Sequence, residues 1–424
     1  MRGAKLRTLL TNALVLALFS STGCSSELEV KGDSQRLVGE KVVFALLEGD
    51  DVFDKEASFV DAKGTIVKPP ELGLMTPDEH TISFFIPAGT AAGPATAKIQ
   101  KKGQEATYDV PLTISRVGFA LDAKGQIETL PLPPSSIEPT TASAGQTGQD
   151  LAISPDGRLL ISLASDEIHF WTMGKSLNSV ASLTLSNTRC IAALPGGVAV
   201  GTSTSIQVYN YEEGKGTTTG PSLTLSGTVA LGFSSDGKRA IALTHCDTNQ
   251  DTIPDGDCAV AIDFATTPPS IRQTVEVDKQ VGATLLAVSQ DGRSAVIADT
   301  AVLYGLNFST NPAKQNNLAW PKAQPVAIAR TVATIAGQPT DLFAIADTTT
   351  KEIRAVGFNG TQLTGVSTTT LEVTPSRLAF GRRSDLYVVA QTKLLRVDLS
   401  SPKPVATPLS RQATQSPKAF VVQP

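Results

Sequence analysis

Residues 151–163 read LAISPDGRLLISL, an apolar strand, a Ser-Pro-Asp-Gly turn and a second apolar strand. The pattern returns as LGFSSDGKRAIAL at 231–243 and LAVSQDGRSAVIA at 286–298. Pro155 fixes φ where the first turn begins, Asp156 can accept bonds from the backbone two residues on, and Gly157 supplies positive φ. Asp236-Gly237 and Asp291-Gly292 repeat that logic, so these carboxylates read as hairpin builders and not as catalysts. Aligned on the apolar residue before the turn, seven copies fall at Ile153, Leu194, Phe233, Val288, Ile328, Phe380 and Val422, at steps of 41, 39, 55, 40, 52 and 42 residues. A period of about 40–45 residues with four short strands per unit is the sequence signature of a β-propeller. No long stretch carries a helical period, so the fold class is all-β. Six copies are complete. The seventh, KAFVVQP at 418–424, is a single strand, while RVGFALDA (116–123) and QIETLPL (126–132) precede the first complete copy. The C-terminal strand is expected to close a blade begun by residues 116–132, giving a ring of seven and removing two open sheet edges.

The blades resemble the WD-repeat-like and YVTN-type propellers, in which a Ser-Pro-Asp-Gly turn often joins the first and second strands. The resemblance covers about 300 residues and implies a fold, not a function. The fifth copy, PVAIARTVATIAGQPTDLFAIAD at 325–347, lacks the Asp-Gly turn, and the Trp-Asp pair of WD repeats is missing throughout. Upstream, GEKVVFALL (39–47), HTISFFIPAG (80–89), GPATAKIQKKG (93–103) and EATYDVPLTIS (105–115) alternate in polarity between Gly and Pro breaks. Such strands over residues 38–115 suit a small β-sandwich. Within them, ISFFIPAGTAAGPATAKI at 82–99 resembles the IPT/TIG family of immunoglobulin-like domains. That resemblance implies a spacer or protein-contact module and carries no site residue. The propeller then spans 116–424, with the Pro/Ser/Thr/Gly-rich stretch 133–150 as a surface loop.

The N-terminus reads MRGAKLRTLLTNALVLALFSSTGC. Arg2, Lys5 and Arg7 precede a short apolar core, the pattern of a secretory signal over residues 1–23. That core is too short to span a bilayer, which takes about 20 residues. Ser21-Thr22-Gly23 before Cys24 resemble the lipobox of bacterial lipoproteins. The resemblance implies diacylation of Cys24 and a membrane anchor, with residues 24–37 as a tether. Ser25 after the cysteine implies sorting to the outer membrane. Cleavage without lipidation is the alternative. Loss of residues 1–23 takes the net charge from −4 to −7. With no basic block and 5% aromatic residues, nucleic-acid binding is not expected.

The 55-residue step holds an insertion, HCDTNQDTIPDGDCAV at 245–260. Asp247, Asn249, Asp251, Asp255 and Asp257 stand at near-alternate positions, with the Ile253 carbonyl between them. Oxygens spaced this way along a curling loop can converge on one hard cation. The loop resembles the calcium loops of EF-hand-like and thrombospondin type 3 repeats, departing at Thr252, where Gly is usual, and at Cys258, where a carboxylate is usual. A structural Ca²⁺ is expected; a solvated acidic hairpin loop is the alternative. Cys246 and Cys258 bracket the loop, and in an exported chain they should form a disulfide worth roughly 3 kcal/mol. Cys190 reads as a buried, unpaired thiol, and His169, on one strand face with Glu167 and Trp171, as structural.

No Gly-x-Ser-x-Gly elbow, P-loop or His-Glu-x-x-His is present. The first strands that would line a channel read small and apolar, as in Ala-Ile-Ser or Ala-Val-Ser, unlike a metal-holding active site. The expected function is that of a membrane-anchored, non-catalytic binding or scaffold lipoprotein, offering a propeller platform to a protein partner at the cell envelope or surface. A polysaccharide-binding surface adhesin is one alternative, and a propeller hydrolase of the lactonase kind another.

Overall fold

The computed structural model describes residues 28–30, 34–46, 55–67, 72–74, 81–101, 107–133, 137–174, 176–247, 256–278, 282–300, 302–335, 338–381, 385–399, 404–413 and 415–424. Every regular element among them is a strand. Six four-stranded antiparallel sheets follow one another over 148–412, each a simple meander in sequence order. We number these blades 1 to 6. Their inner strands are Gly148–Ile153, Thr188–Leu194, Thr228–Phe233, Leu285–Val288, Pro325–Ile335 and Arg377–Phe380. Five of the residues aligned in the sequence are the last residues of these strands, and Ile328 lies within the fifth.

The pattern of burial explains the composition. The second strand of blade 1, Leu159–Ala164, is buried along its whole length, because both of its faces meet neighbouring blades. The outer strand Asn178–Thr184 alternates between exposed and half-buried positions. Apolar clusters fill the space between successive blades. Phe170 and Leu163 of blade 1 pack with Val198 and Val200 of blade 2, and corresponding clusters continue round to blade 6. At each Ser-x-Asp-Gly turn the serine hydroxyl donates to the Asp carboxylate and accepts from a backbone N–H of the next strand. The hydrogen bond from Ser234 is the main reason Asp236 titrates below the ordinary carboxylate range. These carboxylates are hairpin elements.

The seam of the ring differs from a seventh four-stranded sheet. Strand Thr107–Leu121 is 15 residues long and belongs to an eight-stranded sheet. Its first half pairs with Gly93–Lys101 and its second half with Gln126–Leu132. Strand Ala419–Val422 pairs antiparallel with that second half, from Ala419 opposite Leu121 to Val422 opposite Gly118. Clusters on either side join this seam to blade 6 through Phe420 and Leu130, and to blade 1 through Phe119 and Ala419. The six inner strands and this closing strand contact one another in order around the ring.

Three boundaries move. The stretch 133–150, expected as loop, carries strand Thr141–Ser143 on the edge of Gln126–Leu132, and Gly148 already begins the first inner strand. Part of the expected tether is also paired. Leu28–Val30 adds to Lys41–Leu46, and Gln35–Leu37 runs parallel to Thr113–Ser115, with Leu37 fully covered. Both errors have one cause, since three-residue strands are too short for alternation to show. The expected division at 115/116 falls inside a continuous strand, where Ser115 and Arg116 are buried. The signal segment and Cys24 lie outside the described residues.

The described residues between 28 and 114 form two sheets around one apolar cluster. Val42, Phe44 and Phe84 come from one sheet, and Phe59, Ile99, Leu112 and Ile114 from the other. This N-terminal module sits on the turn-bearing face of the ring. Gly39, at φ 77°, approaches the first Ser-Pro-Asp-Gly turn so closely that a Cβ would lie 1.7 Å from the Gly157 carbonyl oxygen. The Arg158 guanidinium lies 4.3 Å from the centre of the Phe85 ring, and Lys41 pairs with Glu213 at 3.2 Å. Gln423 completes the joint. Fully buried, its amide donates to the Val38 carbonyl at 2.8 Å and accepts from the Val117 N–H at 3.0 Å.

Gln423→Leu should therefore cost about 2–3 kcal/mol in chemical denaturation, because it strands two buried backbone groups at about 1–3 kcal/mol each. Deleting 417–424 should lower the melting temperature further and cause aggregation through the two sheet edges it opens. A truncated protein that melts like the intact one would refute the closing role of this strand.

Candidate functional site at the channel mouth

The inner strands surround a central funnel of about 550 Å³. Each inner strand is the edge of its sheet, so it turns unpaired backbone N–H and C=O groups toward the funnel. The lower wall, through Ile153, Ile328, Phe380 and Val422, is apolar, in keeping with the sequence. The opposite end, where the inner strands begin, is different. Arg377 is the first residue of the inner strand of blade 6, Lys418 directly precedes the closing strand, Asp150 lies in the inner strand of blade 1 and Arg189 in that of blade 2. These strands are neighbours, so the four charges form one continuous arc. Val229, Thr284 and Val326 on the far side are uncharged.

Asp150 is the pivot of the arc. Its carboxylate accepts the Leu151 N–H at 2.8 Å and the Ile191 N–H. Burial nevertheless pushes its pKa up to about 6, against those bonds and the attraction of Arg377. Arg377 donates from Nε to the Lys418 carbonyl and from Nη1 to the Ser376 carbonyl at 2.6 Å, and desolvation lowers its pKa while Asp150 opposes the shift. Among the described residues, the side chains of Arg189 and Lys418 donate no hydrogen bond. Burial, with a further push from Asp150, raises the Cys190 thiol to about 12, so it stays protonated and unreactive.

This charged arc was not identified from the sequence. Asp150 and Arg377 each stand three residues before the aligned position, Lys418 four and Arg189 five, just upstream of the repeated apolar-turn-apolar pattern. A charge three to five residues before the aligned position, in four of seven copies, was the available signal.

The insertion in blade 3 is stapled by the Cys246–Cys258 disulfide, with an S–S distance of 2.05 Å and Cα atoms 5.8 Å apart. Of the residues expected to ligate calcium, Asn249, Asp251, Ile253 and Asp255 lie outside the described residues, and Asp247 is half-buried. Asp257 is fully buried and both of its oxygens are engaged. Oδ1 lies 2.7 Å from His245 Nδ1, and Oδ2 accepts the N–H groups of Gly282 at 2.9 Å and Ala283 at 2.7 Å. The base of the insertion is thus tied to the chain that enters blade 4 beside Thr284. Among the described residues, no group of three or more His, Cys, Asp or Glu could hold a metal. His169 contacts Glu167 at 3.2 Å. Trp171 is buried and donates to Ser162 at 2.9 Å, and Trp320 is buried under the Arg354 guanidinium.

No family model matches this chain, and no curated protein matches it. Its fold is similar to solved structures. One is a provisionally assigned 6-phosphogluconolactonase from Bacteroides fragilis, with 12% identity, a TM-score of 0.55, and coverage of 73% of this chain and 98% of that one. Another is AztD from Citrobacter koseri, with 10% identity, a TM-score of 0.51, and coverage of 73% and 97%. A third is a protein of unknown function from Desulfotomaculum acetoxidans, with 14% identity, a TM-score of 0.51, and coverage of 72% and 98%. At these identities the likeness establishes the β-propeller fold alone.

The raised pKa of Asp150 gives a signed stability effect. Between pH 4 and 6 the folded chain holds a proton that the unfolded chain has released, so folding weakens as pH rises, and the penalty is complete above about 6. Asp150→Asn should therefore stabilise the protein at pH 8 by on the order of 2 kcal/mol and leave it unchanged near pH 4. Equal effects at both pH values in urea titrations would show that burial of this charge is not the cause.

Proposed function

We propose that this chain is a lipid-anchored, non-catalytic binding lipoprotein of the cell envelope, sorted to the outer membrane, whose channel mouth faces a protein partner. One observation carries the reading: the N-terminal module packs on the turn-bearing side of the ring, at blades 1 and 2 and the closing strand, so the charged mouth opens on the side away from it. Only residues 25–27 separate Cys24 from the first strand of the module, a reach of about 14 Å at most. An anchored chain would then hold the module near the membrane and direct the mouth outward. We read the module as an immunoglobulin-like sandwich of the IPT/TIG kind, acting as a spacer. We count the closing strand with 118–121, 126–132 and 141–143 as a seventh blade.

The adhesin alternative needs exposed stacking platforms, whereas Trp171 and Trp320 are buried at 4% and 2% exposure. The lactonase alternative needs converging metal ligands, and among the described residues Asp150 is the only carboxylate lining the mouth. The acidic insertion is read as a weak structural Ca²⁺ site formed by the residues from Asp247 to Asp255, with Asp257 serving the fold instead.

Two measurements test this reading. A photo-crosslinking residue at Gln149 or Thr284 should capture an envelope protein, one at Gln290 on the turn face should not, and Cys24→Ala should abolish both acylation and capture. Capture from Gln290 alone, or acylation of Cys24→Ala, would refute it. Ca²⁺ at about ten times its Kd should add about 1.4 kcal/mol to stability, and Asp251→Ala should remove that increment. No calorimetric heat up to several millimolar Ca²⁺ would return the loop to a disulfide-stapled acidic hairpin.

A further inference from the structure

We infer that the arc formed by Arg377, Lys418, Asp150 and Arg189 binds a small solute carrying two or more carboxylate or phosphate groups; this rests on reading the channel mouth as the binding face. Three cations and one carboxylate stand on consecutive strands of the ring, facing an uncharged arc across the funnel. The local excess of two positive charges lies in a chain whose net charge is −4. Like charges brought together at the rim of a low-dielectric funnel repel, and their field is focused into it, so an anion entering there gains energy from every cation at once. The cations are available. Arg189 and Lys418 donate no side-chain hydrogen bond among the described residues, and Arg377 uses Nε and Nη1 while Nη2 makes none. A guanidinium can grip a carboxylate or phosphate through paired N–H bonds, which favours planar or tetrahedral oxyanions over halide-like ions.

Size and multiplicity follow from the same geometry. A funnel of about 550 Å³ falls in the range of small-molecule sites and is too small for a folded partner. A singly charged ion would satisfy one or two members of an arc that spans four strands, while a di- or tri-anion bridges them. Unpaired backbone groups below the arc offer further hydrogen bonds to the hydroxyls or oxygens of a polar solute, and not to an acyl tail. Asp150 adds control. The groups around it are the Leu151 and Ile191 N–H, Arg377, Arg189, Lys418 and the protonated Cys190. Asp150 titrates near pH 6. Its protonation removes the single negative charge of the arc, so anion affinity should rise about three- to tenfold from pH 7.5 to 5.5.

The test is calorimetric titration of the full mature chain at low salt, with citrate and pyrophosphate as the carboxylate and phosphate probes. Sulfate serves the pH arm because its charge is constant between pH 5.5 and 7.5. At least one of citrate and pyrophosphate should bind, and the stronger probe identifies the source chemistry. Replacing two exposed cations together, Arg189→Gln with Lys418→Gln, should weaken that binding at least tenfold. Arg293→Gln, on the turn-bearing face, should leave it unchanged. Asp150→Asn should bind sulfate at pH 7.5 as the unmodified protein does at pH 5.5 and lose the pH dependence. No heat from either probe up to 10 mM, equal binding by the double variant, or equal weakening by Arg293→Gln would overturn the assignment. So would tighter binding, by more than tenfold, of a Glu-rich hexapeptide. If these titrations fail while crosslinking from Gln149 still captures an envelope protein, the anion site falls and the scaffold reading stands.

Discussion

Four residue pairs, from Ala419 opposite Leu121 to Val422 opposite Gly118, hold the ring shut. They join segments about 300 residues apart, so they form only after a large loop-closure cost has been met, which makes this a fold of high contact order. What they secure is larger than their own hydrogen bonds. With the closing strand in place, blades 1 and 6 each find an apolar neighbour, and the interblade clusters run round the ring without a gap. The charged arc depends on the same seam. Lys418 abuts the closing strand, with Arg377 on one side of it and Asp150 and Arg189 on the other, so an open ring would divide the site between two free edges.

The strand that receives the closing strand also enters the N-terminal module. Because Thr107–Leu121 pairs with Gly93–Lys101 in its first half and with the ring in its second, no flexible linker separates the two bodies. Gln423 fixes the joint from the other side, bonding Val38 in the module and Val117 in the shared strand. A glutamine amide buried without partners would be strongly unfavourable. Its two satisfied bonds therefore select one relative orientation, and that orientation keeps the module off the mouth.

The legibility of each part in the sequence followed its size and repetition. Ile153, Leu194, Phe233 and Val288 marked true ends of inner strands because each is followed by a turn whose chemistry is local. Pairing of Cys246 with Cys258 was readable for the same reason, since both cysteines flank one hairpin. Strands Gln35–Leu37 and Thr141–Ser143 were not, because three residues carry no periodicity and their partners are distant or edge-on. The arc of Arg377, Lys418, Asp150 and Arg189 was hidden in a different way. Each residue is unremarkable in its own strand, and only the closing of the ring makes a cluster of them. Asp257 shows the converse. Alternate spacing placed it in a calcium loop, whereas burial and the N–H groups of Gly282 and Ala283 give it a structural role that no spacing rule contains.

The two irregularities of the repeat also account for the asymmetry of the mouth. One is the seam, flanked by blades 6 and 1. The other is the insertion of blade 3, bonded through Asp257 to the lead-in of blade 4. Blades 3 and 4 are the two farthest from the seam in either direction round the ring. The charged arc straddles the seam, and the uncharged arc holds Val229 of blade 3 and Thr284 of blade 4. A regular propeller would present similar residues around its whole rim. Here the disulfide and the His245–Asp257 pair fix the position of the neutral side, while strand closure assembles the charged one. A solute entering this funnel therefore meets an oriented site, and the orientation is built by the two places where the repeat is broken.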